Sequence, residues 1–305
     1  MGKSTWTDEQ INRLKELYMQ NYTIKDIAKE LNKTDGAIKA KILYCGLDKL
    51  NVRKNSIHFK AVYQDYNWCY ERYINRGMNM HQMSEEAGCS FRVMQKWCSE
   101  KYKLNEFTFR KEKKLSQKQR ELIMFGLLGD GHIDRRVNEP MYIESHAENQ
   151  KDYIYWKYSI LKDLCNHEPT YYCERDKIFD GKVYKCQASY RLNTRTIDDL
   201  VNIRNMNRID IINSLNEFGI SIHMLDDGYR DISSWELCLA EYSQEEIDLY
   251  IFICKERLGL NCHQETDKRY IRFDANSSRI IDKIILENIP NTLDIIQYKI
   301  MRDKK

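Results

Sequence analysis

Through the front third of the chain, apolar side chains recur every three or four positions, the period of helices that bury one face. Thr7 and Gln10 have the spacing of a capping box ahead of Ile11, Leu14, Leu17 and Tyr18. Thr23 opens a second helix carrying Ile24, Ile27, Ala28 and Leu31, and Thr34 a third with Ala37, Ile38 and Ile42, closed by Gly46. Only Asn32 and Lys33 separate these last two. A further helix is expected around residues 63–74. Met80, Met83 and Ala87 then share a face, Gly88 and Cys89 make a turn, and Ser90 caps a helix with Val93, Met94 and Trp97 inward.

From residue 115 the pattern changes to helices alternating with hairpins, and it occurs twice. Ser116 with Gln119 caps an almost wholly apolar helix, ELIMFGLLGDGHI, followed by a strand MYIESHA, a helix NQKDYIYWKYSILKDL and two strands, PTYYCERDKI and KVYKCQASYRLNT. The second copy begins at LNEFGISIHMLDDGY and runs through WELCLAEY, SQEEIDLYIFICKERLGL, NCHQETD and RYIRFDA to a closing helix SSRIIDKIILENI. The Asp-Gly pairs at Asp130 and Asp227 lie 97 residues apart, so an internal duplication and a pseudo-two-fold arrangement are expected.

Composition narrows the class. The 305 residues are enough for two or three domains, and 42% hydrophobic residues can give each a core. No stretch is apolar for long enough to span a membrane, and the start, MGKSTWTDEQINRL, carries no signal or transit pattern, so a cytoplasmic protein is expected. The ten cysteines include no Cys-x-x-Cys pair and read as reduced, packed thiols. Residues 1–114 hold 22 Lys and Arg against 14 Asp and Glu, net +8, while the remaining 191 carry net −5. The cationic front attracts phosphate without selecting sequence.

The tight connection between short helices is a helix-turn-helix arrangement, and residues 1–50 resemble its Myb-like or SANT-like form. Residues 57–104 resemble the helix-turn-helix of transposases and resolvases. Outward positions on the second recognition-type helix are Phe91, Arg92, Gln95 and Lys96, types that reach guanine and adenine edges. On the first they are Asp35 and Lys39, with Lys41 at the border. Residues 105–114, with the run from Arg110 to Lys114, read as a solvated basic tether.

IMFGLLGDG (residues 123–131) and ISIHMLDDG (220–228) resemble the two motifs of the LAGLIDADG homing endonucleases, in the subgroup reading GLLLGDG and WxMDDG. The resemblance implies an α+β fold, a duplicated αββαββα unit (residues 115–210 and 211–305) behind two all-α helix-turn-helix modules. Each motif helix is apolar nearly all round and must be buried, and Gly126 and Gly129 leave room for the other motif helix. Side by side, the helices bring Asp130 and Asp227 together at their C-terminal ends, where a divalent cation is favoured. Both are expected to hold Mg²⁺ or another divalent cation for hydrolysis of double-stranded DNA by a monomer. His223 and Asp226 stand where the first motif has Gly126 and Gly129, so one repeat supplies bulk and the other room.

The resemblance further implies sheets lying in the major groove, with Glu144, His146, Gln187, Tyr190, Arg191, Arg272 and Asp274 as candidate contacts. Gln187, Arg191, Lys268 and Arg272 compete for a basic or amide place near the metals. A net charge of −5 is unexpected for a DNA saddle, and outer-helix acids such as Glu148, Asp152, Glu245, Glu246 and Asp248 can account for it. Two rivals use the same fold: a non-cleaving regulator of the WhiA type, and an intron RNA maturase. Both motif aspartates speak against the first, and the double DNA-type front end against the second.

Overall fold

The computed structural model describes residues 6–20, 22–47, 61–134, 140–179, 182–265 and 269–300, and the chain divides into two compact units between Asp65 and Tyr66. In the first unit, α1 (Asp8–Met19), α2 (Ile24–Glu30) and α3 (Asp35–Tyr44) start at the caps the sequence marks. The hydroxyls of Thr7, Thr23 and Thr34 each accept a hydrogen bond from the amide three residues on, and Gln10 completes the box at Thr7. Leu14, Leu17, Ile27, Ile38 and Ile42 form its core, with Trp6 packed at the edge. Asn32 (φ 48°) and Gly46 (φ 65°) adopt the left-handed conformation that lets the chain leave α2 and α3 sharply.

The second unit opens with α4 (Tyr66–Tyr70), which widens into a π turn over Glu71–Asn75, then α5 (Met80–Glu86), α6 (Phe91–Gln95) with a similar extension over Lys96–Lys101, and α7 (Glu106–Glu112). Ser90 caps α6, and Met83, Met94 and Cys98 are wholly buried. Helix α7 corrects the tether expected at residues 105–114. Phe109 is wholly buried, with the Arg195 guanidinium 3.2 Å from its ring centre and 2.8 Å from Glu106. Arg110 pairs with Asp198 and Lys113 with Asp163. Gly77 (φ 64°) lies against the Asp163 backbone, where an added Cβ would stand 1.9 Å from the carbonyl oxygen. The basic run finds acidic partners on the following repeat, so the break in the chain falls at residue 65 and the second helical module is continuous with that repeat.

The repeats follow. The first holds α8 (Gln117–Gly126), β1 (Gly131–Ile133), β2 (Tyr142–Ala147), α9 (Lys151–Leu161), β3 (Thr170–Tyr172), β4 (Arg175–Phe179), β5 (Lys182–Cys186) and β6 (Ser189–Asn193), and α10 (Leu200–Arg204) and α11 (Arg208–Asn213) lead out of it. The second holds α12 (Glu217–Asp226), β7 (Gly228–Arg230), β8 (Trp235–Cys238), α13 (Gln244–Leu258), β9 (Cys262–Gln264), β10 (Tyr270–Phe273), α14 (Ala275–Asn288) and α15 (Asp294–Lys299). Each repeat forms an antiparallel sheet, in the orders β1-β2-β6-β3 and β7-β8-β10-β9, so the duplication read from sequence is a duplication of topology.

Two details differ from the sequence reading. The three-residue strands β1 and β7 follow the motif helices directly and are too short to show alternation. The long strands expected around residues 169–178 and 182–194 each divide in two: β3 and β6 stay in the main sheet, while β4 and β5 pair only with each other as a separate hairpin.

Candidate metal centre and nucleic-acid interface

Helices α8 and α12 pack against each other along their motif faces, and the glycines show how. A Cβ on Gly129 would lie 2.6 Å from Asp226 Cβ, so the bare backbone of the first motif makes room for the carboxylate of the second. Gly219 on α12 does the same for the Phe125 ring, which a Cβ would meet at 2.8 Å. Gly126 does not serve the other motif helix. Its space is taken by the Tyr142 hydroxyl from β2, 2.2 Å from an added Cβ.

The chain turns out of each motif helix into an aspartate and then a strand. Asp130 precedes β1, and Asp227, the residue after α12, precedes β7, with side chains 39% and 36% exposed. Partial burial and the nearby Asp226 carboxylate push the Asp130 carboxyl above its usual range. Burial, with Asp130 and Asp226, pushes Asp227 up to about 7. The Asp226 carboxylate therefore destabilises the charge on both motif aspartates, and Asp130 adds to it at Asp227.

Behind Asp130 lies a buried ionic network. The Lys157 ammonium, wholly buried on α9, donates to Glu144 Oε1 and to Asp226 Oδ1 (2.8 Å), bridging the first sheet to the second motif helix. Glu144 also accepts from Tyr142 Oη and faces His146 Nε2, each at 2.8 Å, and Tyr153 Oη donates to Asp226 Oδ1 at 2.9 Å. Burial alone would raise the Glu144 carboxyl, but Lys157 and His146 outweigh it and hold it below its usual range. Burial and Lys157 oppose protonation of His146, whereas Glu144 and Asp226 prevail and raise its pKa. His146 Nδ1 stands 3.4 Å from Asp130 Oδ2. Donor atoms of Asp130, His146 and Asp226 lie within 4.8 Å of one another, close enough to share a metal ion.

Behind Asp227 the buried side chains nearest α12 are a neutral histidine and two tyrosines. His223 is wholly buried, with Nδ1 3.0 Å from Tyr250 Oη and Nε2 3.4 Å from Tyr242 Oη, and burial lowers its pKa to about 3. Tyr242 Oη donates to the Leu128 carbonyl, which ties the second repeat to the first motif. Lys299 on α15 donates to the carbonyls of Leu225 (2.7 Å) and Gly228 (2.8 Å), covering the negative end of α12. Burial lowers its pKa to about 8 against the pull of Asp226, Asp130 and Asp227. Sequence reasoning missed Lys299 because it stands 72 residues beyond Asp227, past the closing helix read for the second repeat, with nothing local to mark it.

Strand register sorts the remaining candidates. Arg191 pairs with Ser145 on the open face of the first sheet and donates to its hydroxyl at 3.1 Å. Arg272 lies on the open face of the second, held by Glu236 and Glu265, and lines a hollow with Asp227, Tyr229 and Tyr270. Glu144 and His146 are corrected: they are buried and face the helices, and Tyr190 lies on that same side, opposite His146. Asp274 is the cap of α14, accepting from the Ser277 amide. Gln187 lines a separate hollow with Glu148 and Glu174, and Lys268 lies outside the described residues. Glu236 and Glu265 place part of the acidic excess on an open sheet face and not only on the outer helices. On the front helices Lys39, Arg92, Gln95 and Lys96 are exposed, while Lys41 is half-buried over the rings of Tyr44 and Trp6.

The model of the LAGLIDADG DNA endonuclease family matches residues 120–281, more than half of the chain. The chain belongs to this family. Among solved structures, the LAGLIDADG chain is similar to "the homing endonuclease I-WcaI bound to its DNA recognition sequence", at 19% identity over 61% of this chain and 86% of that one, with a TM-score of 0.50; the two share a fold. Full-length DUF199/WhiA from Thermatoga maritima aligns at 11% identity over 62% of this chain and 63% of that one, with a TM-score of 0.37. No curated protein matches the chain. Among the described residues no helix is long and apolar enough to cross a membrane.

Proposed function

We propose that this LAGLIDADG protein is a monomeric, site-specific homing endonuclease that cuts both strands of double-stranded DNA by metal-dependent hydrolysis, and that the helix-turn-helix modules at residues 1–50 and 57–104 lengthen its site. The observation that carries the reading is the pair of motif ends. Two carboxylates, Asp130 and Asp227, leave two helices packed on each other, each immediately ahead of the first strand of its sheet, and each is held above its usual pKa by burial and by neighbouring acid. The relative I-WcaI is bound to its DNA recognition sequence, which supports DNA as the partner.

The donor set suits a divalent cation. The Asp130 and Asp227 carboxyls are held above their usual range by burial and neighbouring acid, and Asp226 Oδ2 is buried with no hydrogen-bond partner. Asp130 and Asp227 would hold Mg²⁺ or another divalent ion, which when bound polarises a phosphate oxygen and acidifies water. The chain's own residues position and neutralise. Lys299 caps the end of α12 within the field of all three aspartates, and is the best-placed basic residue for the developing charge, ahead of Gln187, Arg191 and Arg272. Arg191 and Arg272 serve as groove contacts, with Lys39, Lys41, Arg92, Gln95 and Lys96 as outlying ones.

Incubation with a randomised DNA library, with and without Mg²⁺, followed by sequencing of new ends, tests the reading. Wild type should release paired ends at one site class only with the metal. Asp130→Asn and Asp227→Asn should each abolish double-strand cleavage and leave specific binding near wild type. Undiminished cleavage by either variant refutes the assignment, and specific binding by wild type without any ends favours the non-cleaving regulator.

A further inference from the structure

The two halves of the centre are built from different chemistry at matched places. In the first sheet Gly131 pairs with Glu144; in the second Gly228 pairs with Leu237. That register sets Tyr142, Glu144 and His146 against Trp235, Leu237 and Leu239, and the same offset, carried into the helices that open at Lys151 and Gln244, sets Lys157 against Tyr250. Side chains that are polar or charged behind Asp130 are thus apolar or neutral behind Asp227, and all of them are buried.

We propose that the Asp130 half is a preformed three-donor cation site, made by Asp130, His146 Nδ1 and Asp226 Oδ2, which takes one first-row divalent ion such as Mn²⁺ before DNA arrives, while the Asp227 half stays empty until DNA is bound. The inference extends the endonuclease reading but rests on the donors alone. Three observations carry it. One ligand atom from each of the three residues lies within 4.8 Å of the others. Ligands about 2.1 Å from a shared octahedral ion are themselves about 3 to 4 Å apart, so a small closure suffices. Asp226 gives Oδ1 to Lys157 and Tyr153, yet its Oδ2 is wholly buried without a partner, beside the backbone of Gly129, the residue before Asp130. A buried oxygen left unpaired in an otherwise satisfied network marks a place for a missing positive group.

His146 is oriented for the task. Its Nε2 faces Glu144 Oε1 at 2.8 Å, the carboxylate–histidine arrangement that directs the other ring nitrogen's lone pair at a metal. Nδ1 has two neighbours, Asp130 Oδ2 at 3.4 Å and Gln150 Oε1 at 3.0 Å, so a bound cation would take the place of the contact to Gln150. The imidazole shifts the set toward first-row transition ions, and the two carboxylates keep it suited to Mn²⁺. On the other side Leu239 replaces the histidine, both nitrogens of His223 already face tyrosine hydroxyls, and the Lys299 ammonium supplies positive charge to the end of α12.

The experiment is Mn²⁺ titration of the full chain without DNA, followed by electron paramagnetic resonance. Wild type and Asp227→Asn should each bind one equivalent, and the echo-modulation spectrum should carry the ¹⁴N coupling of a directly bound imidazole. His146→Leu, which installs the second repeat's residue, should lower affinity at least tenfold and remove the nitrogen signal. If that variant does not fold, the wild-type spectrum still decides. Absence of binding without DNA, a bound ion with no nitrogen coupling, or equal loss of binding in Asp227→Asn overturns the proposal. None of these readings depends on cleavage, so an inactive nuclease and an absent three-donor site are separate outcomes.

Discussion

Replacing Lys157 with Met tests the ionic network most directly. The ammonium is wholly buried between Glu144 and Asp226, whose side chains are also without exposure. Met keeps the length and volume of the aliphatic stem, so the packing cost of the exchange itself stays below about 1.5 kcal/mol. What remains is two carboxylates in a dry interior that have lost their shared cation, and breaking a buried pair in this way costs about 3 to 5 kcal/mol. His146 stays beside Glu144 and moderates the loss at that end, whereas Asp226 retains only the Tyr153 hydroxyl.

In a body the size of the second unit each kcal/mol moves the melting temperature by about 2 to 4 °C, so the variant should melt roughly 6 to 20 °C below wild type. Urea unfolding of Lys157→Met, Asp226→Asn and the double variant completes a mutant cycle. The double variant should be more stable than Lys157→Met alone, because the carboxylate that was stranded is now a neutral amide. A loss below about 1 kcal/mol in the single variant, or a double variant no better than it, would mean the network is not the electrostatic unit its geometry describes.

Removal of residues 1–65, which carry net +4, should leave a fragment that folds and that binds DNA more weakly, with a shallower dependence on log salt; an unchanged slope would show that the first unit is not on the DNA. Arg92→Ala and Gln95→Ala should each relax preference at one or two base pairs flanking the cleavage centre, at about 1 to 3 kcal/mol per bidentate contact, and a site logo identical to wild type in both would leave the face of α6 a solvated surface. His223, neutral in the fold with its pKa lowered to about 3, contributes stability that is complete above about pH 6.5 and is lost as pH falls toward 3. By pH 5 the loss from this group is about 2 kcal/mol. The stability difference between wild type and His223→Gln should therefore change by that amount between pH 7 and pH 5, and a constant difference would mean that His223 titrates in the fold as it does in the unfolded chain.

Much of this architecture was readable because short-range signals and long-range packing agree. Caps at Thr7, Thr23, Thr34, Ser90 and Ser116 act within three residues, so their sequence pattern is their structure. Burial of both motif helices follows from their lack of any polar face. Gly129 yielding to Asp226 was also foreseeable, since matched positions in a duplicated unit must share one volume between them. The failures are tertiary. Nothing in RKEKK distinguishes a solvated run from one whose charges find Asp198 and Asp163 some 50 to 90 residues away. Glu144 and His146 alternate in their strand as groove contacts would, and only the sheet's packing against α9 shows which side is wet.

That last error leads to the site's asymmetry. A buried ion pair is weak evidence for stability, since well-packed apolar residues of similar volume usually serve as well or better. The second repeat contains such an alternative in the same fold: Trp235, Leu237 and Leu239 occupy the register that Tyr142, Glu144 and His146 occupy in the first, and all three are wholly buried. The fold therefore does not require charge at these positions. The charge lies where Asp130 leaves its helix, it reaches across to the second motif through Asp226, and it leaves one buried oxygen unanswered. A duplicated scaffold that keeps the costly version on one side only is explained by a task belonging to that side, and the geometry of Asp130, His146 and Asp226 fits the retention of a cation.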